Sequence, residues 1–387
     1  MNTPITADHV LFDDCIYTFR NSGYNSIDDN AMNKLYCVIL SPFEITSSWD
    51  LGHCIIHPSQ EVRIDGPYLS FVNIVEISDK IHFSNCHLYS HALCAILSSI
   101  TLTPFKSPRN RHYYRTLPSL SQEALKVIAN SHPILFAGPV GNVITLSHEE
   151  QFKIRDESIE IINKLHSLNY DSYVIFMQNF RMLHLSLINK REDFGLAYSL
   201  IVASIESAAQ KAIKREKVKD VNPKDAIWSK LSENDPEFAQ VFKAYKISRG
   251  LNTYLKERYV KFILEYAPIS EWELNVPDRN KKYIESSQGS DLDLKEIERH
   301  YNGNHPIDLS IDEINEILAQ SYKHRSNFIH QGKQPPHREP NTTTRFFQTF
   351  SIYNNEGSLQ NVILPNYELM LSIAKQSLTN WLFKKFE

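Results

Sequence analysis

The stretch Ser310–Lys333, SIDEINEILAQSYKHRSNFIHQGK, spells out a helix together with both of its ends. Ser310 followed by Glu313 is a capping box, in which hydroxyl and carboxylate satisfy each other's backbone amide. Gly332 supplies the left-handed residue that stops a helix, and Pro335 and Pro336 prevent its resumption. Between these ends Ile311, Ile314, Leu318, Tyr322 and Ile329 recur at helical spacing and predict one apolar stripe.

Arg325 is out of character in that stripe. It returns to nearly the angle of Ile314, so a permanent charge is aimed at the core or at a subunit interface. Such burial is costly unless a carboxylate or a phosphate answers it. His330 stands in the last turn, where the helix dipole suits a cation. The i, i+5 spacing leaves it on a flank rather than beside Arg325, unless two helices contribute jointly. Two readings stay open on the residues alone. One is an arginine braced by a carboxylate, with a histidine closing the helix; the other is a phosphate site.

A carboxylate is available upstream. Phe194–Ala209 is apolar nearly all round and Glu206 is its single charge, as expected of a helix central in a bundle. Glu206 is therefore predicted to approach Arg325. The chain around these two segments reads as mostly helical: Glu149–Leu168 (opened by the capping box Ser147/Glu150), Ser172–Asn189, Asp193–Lys214, Lys224–Leu231, Glu237–Ile247, Leu251–Glu265 and Tyr367–Phe386. Asn275–Asn304 is polar and reads as a loop-rich insert.

Before about residue 145 the pattern differs. Val10–Phe19, Leu35–Leu40, Gly52–His57, Glu61–Ile64 and Tyr68–Ile77 are short apolar or alternating runs between turns, expected as strands. The periodicity of His91–Ile100 fits a helix or a buried strand equally. The expected organisation is a mixed α+β sensing or recognition domain over 1–145, a connecting helix over 146–171 and a helical domain over 172–387.

Composition narrows the functional classes. The chain has 387 residues, enough for two domains, and 42% hydrophobic residues. A formal net charge of -4 offers no global attraction to nucleic acid, so any polyanion site must be local. Five cysteines without framework spacing suit a reducing, cytoplasmic setting. MNTPITADHV lacks the pattern of a signal peptide, and no apolar run is long enough to span a membrane.

The hexapeptide Arg325-Ser326-Asn327-Phe328-Ile329-His330 matches the R-x4-6-H signature of HEPN domains. YKHRSNFIHQGK closing a helix resembles the Apea-like HEPN branch, as do the acidic core helix with Glu206 and the stretch LNTYLKERYVKFILEYAP. The resemblance covers about residues 172–387. It implies an all-α bundle that forms a homodimer with a composite active site, a metal-independent RNA endonuclease with no cofactor. Carried over, Arg325 would hold the scissile phosphate and stabilise its charge. His330 would serve as general acid or base, leaving a 2',3'-cyclic phosphate. Asn327 or Ser326 would orient His330 or contact the phosphate, and Glu206 would orient the guanidinium. The substrate would be tRNA or mRNA, and the setting prokaryotic anti-phage defence, abortive infection or a toxin system. The alternative within the family is a non-catalytic dimer that binds RNA or protein, or an antitoxin partner.

Other constellations are weaker. Cys86, His87, His91 and Cys94, with His53, Cys54 and His57 upstream, are residue types that zinc favours, but no C-x2-C pair is present and buried cysteines are the simpler expectation. KSPRNRHYYR mixes cations with aromatics, so Lys106, Arg109, Arg111, Tyr113 and Arg115, joined by Lys333, are candidate RNA contacts. AGPVGN at 137–142 lacks the lysine and hydroxyl of a phosphate-binding loop and reads as a turn.

Overall fold

The computed structural model describes residues 11–22, 34–63, 69–78, 80–108, 112–134, 144–214, 224–251, 254–276, 305–337, 344–353 and 357–384. The expected insert at Asn275–Asn304 (beyond residue 276) and the turn at 137–142 lie outside the described residues. The chain divides into two compact units. One comprises Met1–Ser204 with Arg338–Thr342 and Leu382–Glu387; the other comprises Ile205–His337 with Thr343–Trp381.

The first unit is built on an antiparallel sheet. Its strands are β1 (Leu35–Ser41), β2 (Trp49–Asp50), β3 (Cys54–Ile56), β4 (Gln60–Arg63), β5 (Leu69–Ile77) and β6 (Tyr113–Tyr114). The order is β2-β3-β5-β1-β6, and β4 also pairs with β5. Every residue of β1 is buried because both faces of the sheet are covered. Val38, Leu40, Val62 and Val72 pack on Leu125, Ile128 and Ala129 of α3 (Gln122–Ser131). The opposite row packs toward α2 (Cys86–Thr101), against which α1 (Phe12–Asn21) and α5 (Tyr170–Asn189) lie in turn. Covered by the sheet on one side and by α1 and α5 on the other, α2 is buried over most of its surface, which is why its periodicity fits helix and buried strand equally. Its buried serines are answered locally: Ser98 bonds His184 Nδ1 at 2.8 Å, and Ser99 donates to the Ala95 and Phe180 carbonyls. The capping box of Ser147 and Glu150 opens α4 (His148–Ser167).

One expected strand is a helix. Within the strand expected at Val10–Phe19, the apolar residues Phe12, Cys15, Ile16 and Phe19 are buried on one side of α1 at helical spacing. Asp13 and Asp14 in its first turn and Arg20 in its last complement the helix dipole.

The second unit is mostly helical. α6 (Phe194–Ala212) enters it from the first unit, followed by α7 (Asp225–Asn234), α8 (Pro236–Leu251), α9 (Leu255–Tyr266), the single turn α10 (Trp272–Asn275), α11 (Ile311–Gln331) and α12 (Tyr367–Lys384). It is not purely α. β7 (Phe347–Tyr353) and β8 (Leu359–Pro365) form an antiparallel hairpin whose second strand packs on α11. FQTFSIY carries strand-forming residues, but a helical expectation on both sides hid them. Gly357 follows β7 with φ +77°, a conformation open to glycine.

Candidate phosphate-handling site on α11

α11 begins and ends where its sequence directs. The Ser310 hydroxyl accepts from the Glu313 amide while the Glu313 carboxylate takes the Ser310 amide at 2.8 Å. At the other end Gly332 adopts φ +66°. Its amide reaches the Phe328 carbonyl at 3.0 Å and the Lys333 amide reaches Asn327 at 3.4 Å. The apolar stripe is shorter than expected. Ile314, Ile317, Leu318 and Ser321 are buried, whereas Ile311 and Ile329 remain 54% and 53% exposed. Full burial stops at Ser321; Tyr322 and the residues from His324 to Phe328 are half-buried, and the last turn from Ile329 stands open.

Three helices fix the Arg325 side chain. Arg258 of α9 donates from Nε to the Ile213 carbonyl at 2.9 Å and from Nη2 to Gln210, satisfying carbonyls at the end of α6. Tyr259 of α9 shares a 2.9 Å hydrogen bond with Ser321 of α11. With both helices tied to α9, Glu206 of α6 faces Arg325, and Arg325 Nη2 lies 3.1 Å from Glu206 Oε2. This is the approach the two lone charges predicted. Glu206 Oε1 also accepts from Tyr322 Oη and Gln210 Nε2, each at 3.3 Å.

The contact is ionic rather than an aligned hydrogen bond. Among the described residues, Arg325 Nε and Glu206 Oε2 are buried with no hydrogen-bond partner. The Glu206 side chain is 8% exposed and that of Arg325 20%, so the guanidinium is held yet still touches solvent. Burial, followed by the Glu206 charge, pushes the Tyr322 hydroxyl up to about 12. Tyr322 therefore serves Glu206 as a neutral donor.

His330 is exposed, and Ser326 and Asn327 are half-buried between it and Arg325. At about 100° per residue, the step of five residues turns His330 about 140° from Arg325. One copy of α11 thus offers a held cation on one side and an open imidazole on another. Tyr322, Gln210 and Arg258 escaped the sequence reading as parts of this arrangement. The i, i+3 spacing of Tyr322 and Arg325 and the i, i+4 spacing of Glu206 and Gln210 were the available signals.

The segment beyond α11 is anchored by His337. Its Nε2 donates to the Pro365 carbonyl at 2.9 Å, and its ring meets Phe350 edge-on. Burial lowers its pKa to about 4. A separate groove of about 660 Å³ opens between α9 and the first half of α11, lined by Lys256, Lys261, Leu264, Asp312 and Glu316 among others. It includes neither Arg325 nor His330.

Of the basic patch KSPRNRHYYR, Lys106 is committed to the first unit's own fold. Lys106 Nζ donates to the Pro133 carbonyl, its backbone pairs with Leu40, and burial lowers its pKa. Tyr113 lies in β6, its ring edge-on to Phe83. Arg115 is exposed and covers the Phe83 ring at 4.6 Å, and Lys333 is exposed just past Gly332. Arg109 and Arg111 lie outside the described residues.

The cysteines behave as small apolar residues. All five are buried free thiols, and burial raises Cys54 and Cys86 to about 12. Among the described residues no group of three His, Cys, Asp or Glu side chains is arranged to hold a metal. Nor is any described helix long and apolar enough to cross a membrane. Comparison with protein-family models, with curated proteins and with solved structures returns no match for this chain.

Proposed function

We propose that this chain is a metal-independent RNA endonuclease of the HEPN type, acting as a homodimer with a composite active site. One observation carries the reading: Glu206 holds Arg325 at the edge of solvent on the helix whose open last turn carries His330. A planar fork of donors suits a phosphodiester, and a guanidinium already oriented by a carboxylate loses little freedom on binding it. Arg325 would stabilise the charge growing on the phosphate oxygens. His330 would remove the proton of the ribose 2'-hydroxyl, whose oxygen then bonds to phosphorus. The P–O5' bond breaks, and the departing oxygen is protonated by an imidazolium. The products are a 2',3'-cyclic phosphate and a 5'-hydroxyl end.

The angle between Arg325 and His330 on one helix favours a site shared by two copies. Each copy would then answer the other's arginine with a histidine, and one pair of histidines would supply both base and acid. Asn327 and Ser326, on the intervening turn, are suited to orienting His330 or the phosphate. The substrate class is tRNA or mRNA in the cytoplasm, and the setting a defence or toxin system in which the first unit senses a trigger.

A second reading rests on the same ion pair. Glu206 already neutralises Arg325, so the two residues would brace the bundle of a non-catalytic dimer that binds RNA or a protein partner. Arg325→Lys separates the readings: a brace tolerates it, whereas a forked phosphate clamp loses activity.

The test is cleavage of labelled tRNA and total RNA in EDTA by wild type, Arg325→Ala and His330→Ala, each checked for folding. Cleavage abolished in both variants, with cyclic-phosphate ends, is the expected result. Equal cleavage by all three would remove the site from consideration.

A further inference from the structure

α7 and α8 form a helical hairpin whose apolar residues are only partly used. α7 buries none of its side chains, and of the described side chains of α8 only Phe242 is buried. Trp228 meets Phe242 and Tyr245 edge-on, with ring centroids 6.1 and 5.3 Å apart, and Phe238 stacks on Phe242. This aromatic seam fixes which sides of the two helices face each other.

Counting about 100° per residue from the seam, Ile227 and Leu231 turn to one side of α7. Val241 and Ala244 turn to the same side of α8, because antiparallel pairing reverses the sense of rotation. The resulting face carries Ile227, Leu231 and Val241 at 59%, 51% and 64% exposure. Single exposed apolar residues are ordinary, but three large ones on one face of a two-helix hairpin mark an interaction surface.

Charge on that face selects the occupant. By the same count, Lys224 at the root of the hairpin and Glu237 near its tip turn to this side. The tip is further acidic through Glu233 and Asp235, both exposed. Two hairpins stacked in parallel would set acidic tip on acidic tip. Stacked antiparallel about a two-fold axis, each acidic tip meets a basic root, and the apolar centre of the face meets its own copy. We propose that this face joins two copies of the chain, hairpin against hairpin and antiparallel. The proposal deepens the dimer of the nuclease reading and rests on it only for the existence of a two-copy assembly.

Sedimentation of the full chain across a micromolar concentration series tests it without reference to RNA. Leu231→Glu, with unchanged helical circular dichroism, is expected to raise the dimer dissociation constant at least about tenfold. Glu237→Lys and Lys224→Glu are each expected to weaken self-association, and mixing the two variants is expected to restore a heterodimer. That rescue is something a merely structural role would not produce. A wild type that stays monomeric throughout overturns the proposal, as does a Leu231→Glu variant that dimerises like wild type. So does a dimer broken by Ile329→Glu but not by Leu231→Glu, an outcome that leaves the nuclease reading standing. Absence of RNA cleavage, conversely, leaves the sedimentation result readable.

Discussion

Two buried polar clusters, one in each unit, are satisfied to different degrees. In the sheet unit Asn73 of β5 is completely answered. Its Oδ1 accepts from Ser59 Oγ at 2.6 Å, and its Nδ2 donates to Ser41 Oγ at 2.7 Å. The serines are closed in turn, Ser41 by the Phe43 carbonyl and Ser59 by the Ile45 amide. In the helical unit Glu206 and Arg325 share a charge contact, yet each keeps a buried polar atom without an aligned partner. A neutral network that closes on itself has nothing left to offer a ligand, whereas a held, half-open ion pair retains donors and a field. The difference assigns the Asn73 network to the fold, and sets it apart from the ion pair that the proposed chemistry uses.

The strongest challenge to that contrast is activity. Arg325→Ala and His330→Ala are each expected to lower RNA cleavage about a hundredfold or more, whereas Asn73→Ala leaves the rate per folded molecule unchanged. If Arg325→Ala changes only stability, the two clusters are alike and the arginine is a brace. Next in size is the fold itself. Asn73→Ala removes the acceptor of the half-buried Ser59 hydroxyl and the amide donor to the buried Ser41 hydroxyl, and is expected to cost about 1–3 kcal/mol in urea unfolding. A negligible cost would mean that the closed network is dispensable.

Acid sharpens the comparison further. His337 in the helical unit has a folded pKa of about 4, below its usual 6.5, because burial disfavours the charged ring and His324 adds to the effect. The unfolded chain binds that proton first. The stability contributed by neutral His337 is therefore fully present above pH 6.5 and is lost as pH falls toward 4. The loss should be about 3 kcal/mol, and His337→Gln, which keeps a donor for Pro365, should flatten it. In the sheet unit, burial lowers His184 and His166 to about 3, so acid destabilises that unit over the same range and further down. Urea midpoints at pH 7 and pH 4.5, read by probes in each unit, check the ordering. The smallest effect concerns the end of α11: Gly332→Ala should cost about 1 kcal/mol, because φ there is positive and not because space is lacking.

Much of the helical unit was legible in the chain. Ser310, Glu313 and Gly332 declared the ends of α11 through short-range hydrogen bonds that any solvated helix would make. Glu206, the single charge of Phe194–Ala209, and Arg325, the charge within the apolar stripe of α11, announced one another because an unanswered charge is too costly to bury. Other features escaped for equally local reasons. α1 departs from the expected strand because a ten-residue amphipathic run supports either period, and α3 and the β7–β8 hairpin are short elements stabilised chiefly by what they cover. Ile311 and Ile329 kept helical spacing yet stayed exposed, since spacing fixes a face and not what covers it.

The sequence by itself thus determined where α11 starts and stops, that Arg325 needs a carboxylate, and that β1 and β5 are strands. These depend on neighbours along the chain or on the cost of isolating a charge. Only the tertiary structure decided that Tyr322 donates to Glu206, that Arg258 closes the end of α6, and that Lys106 bonds Pro133. These contacts join residues distant in sequence, and their geometry exists only once the helices and strands have packed.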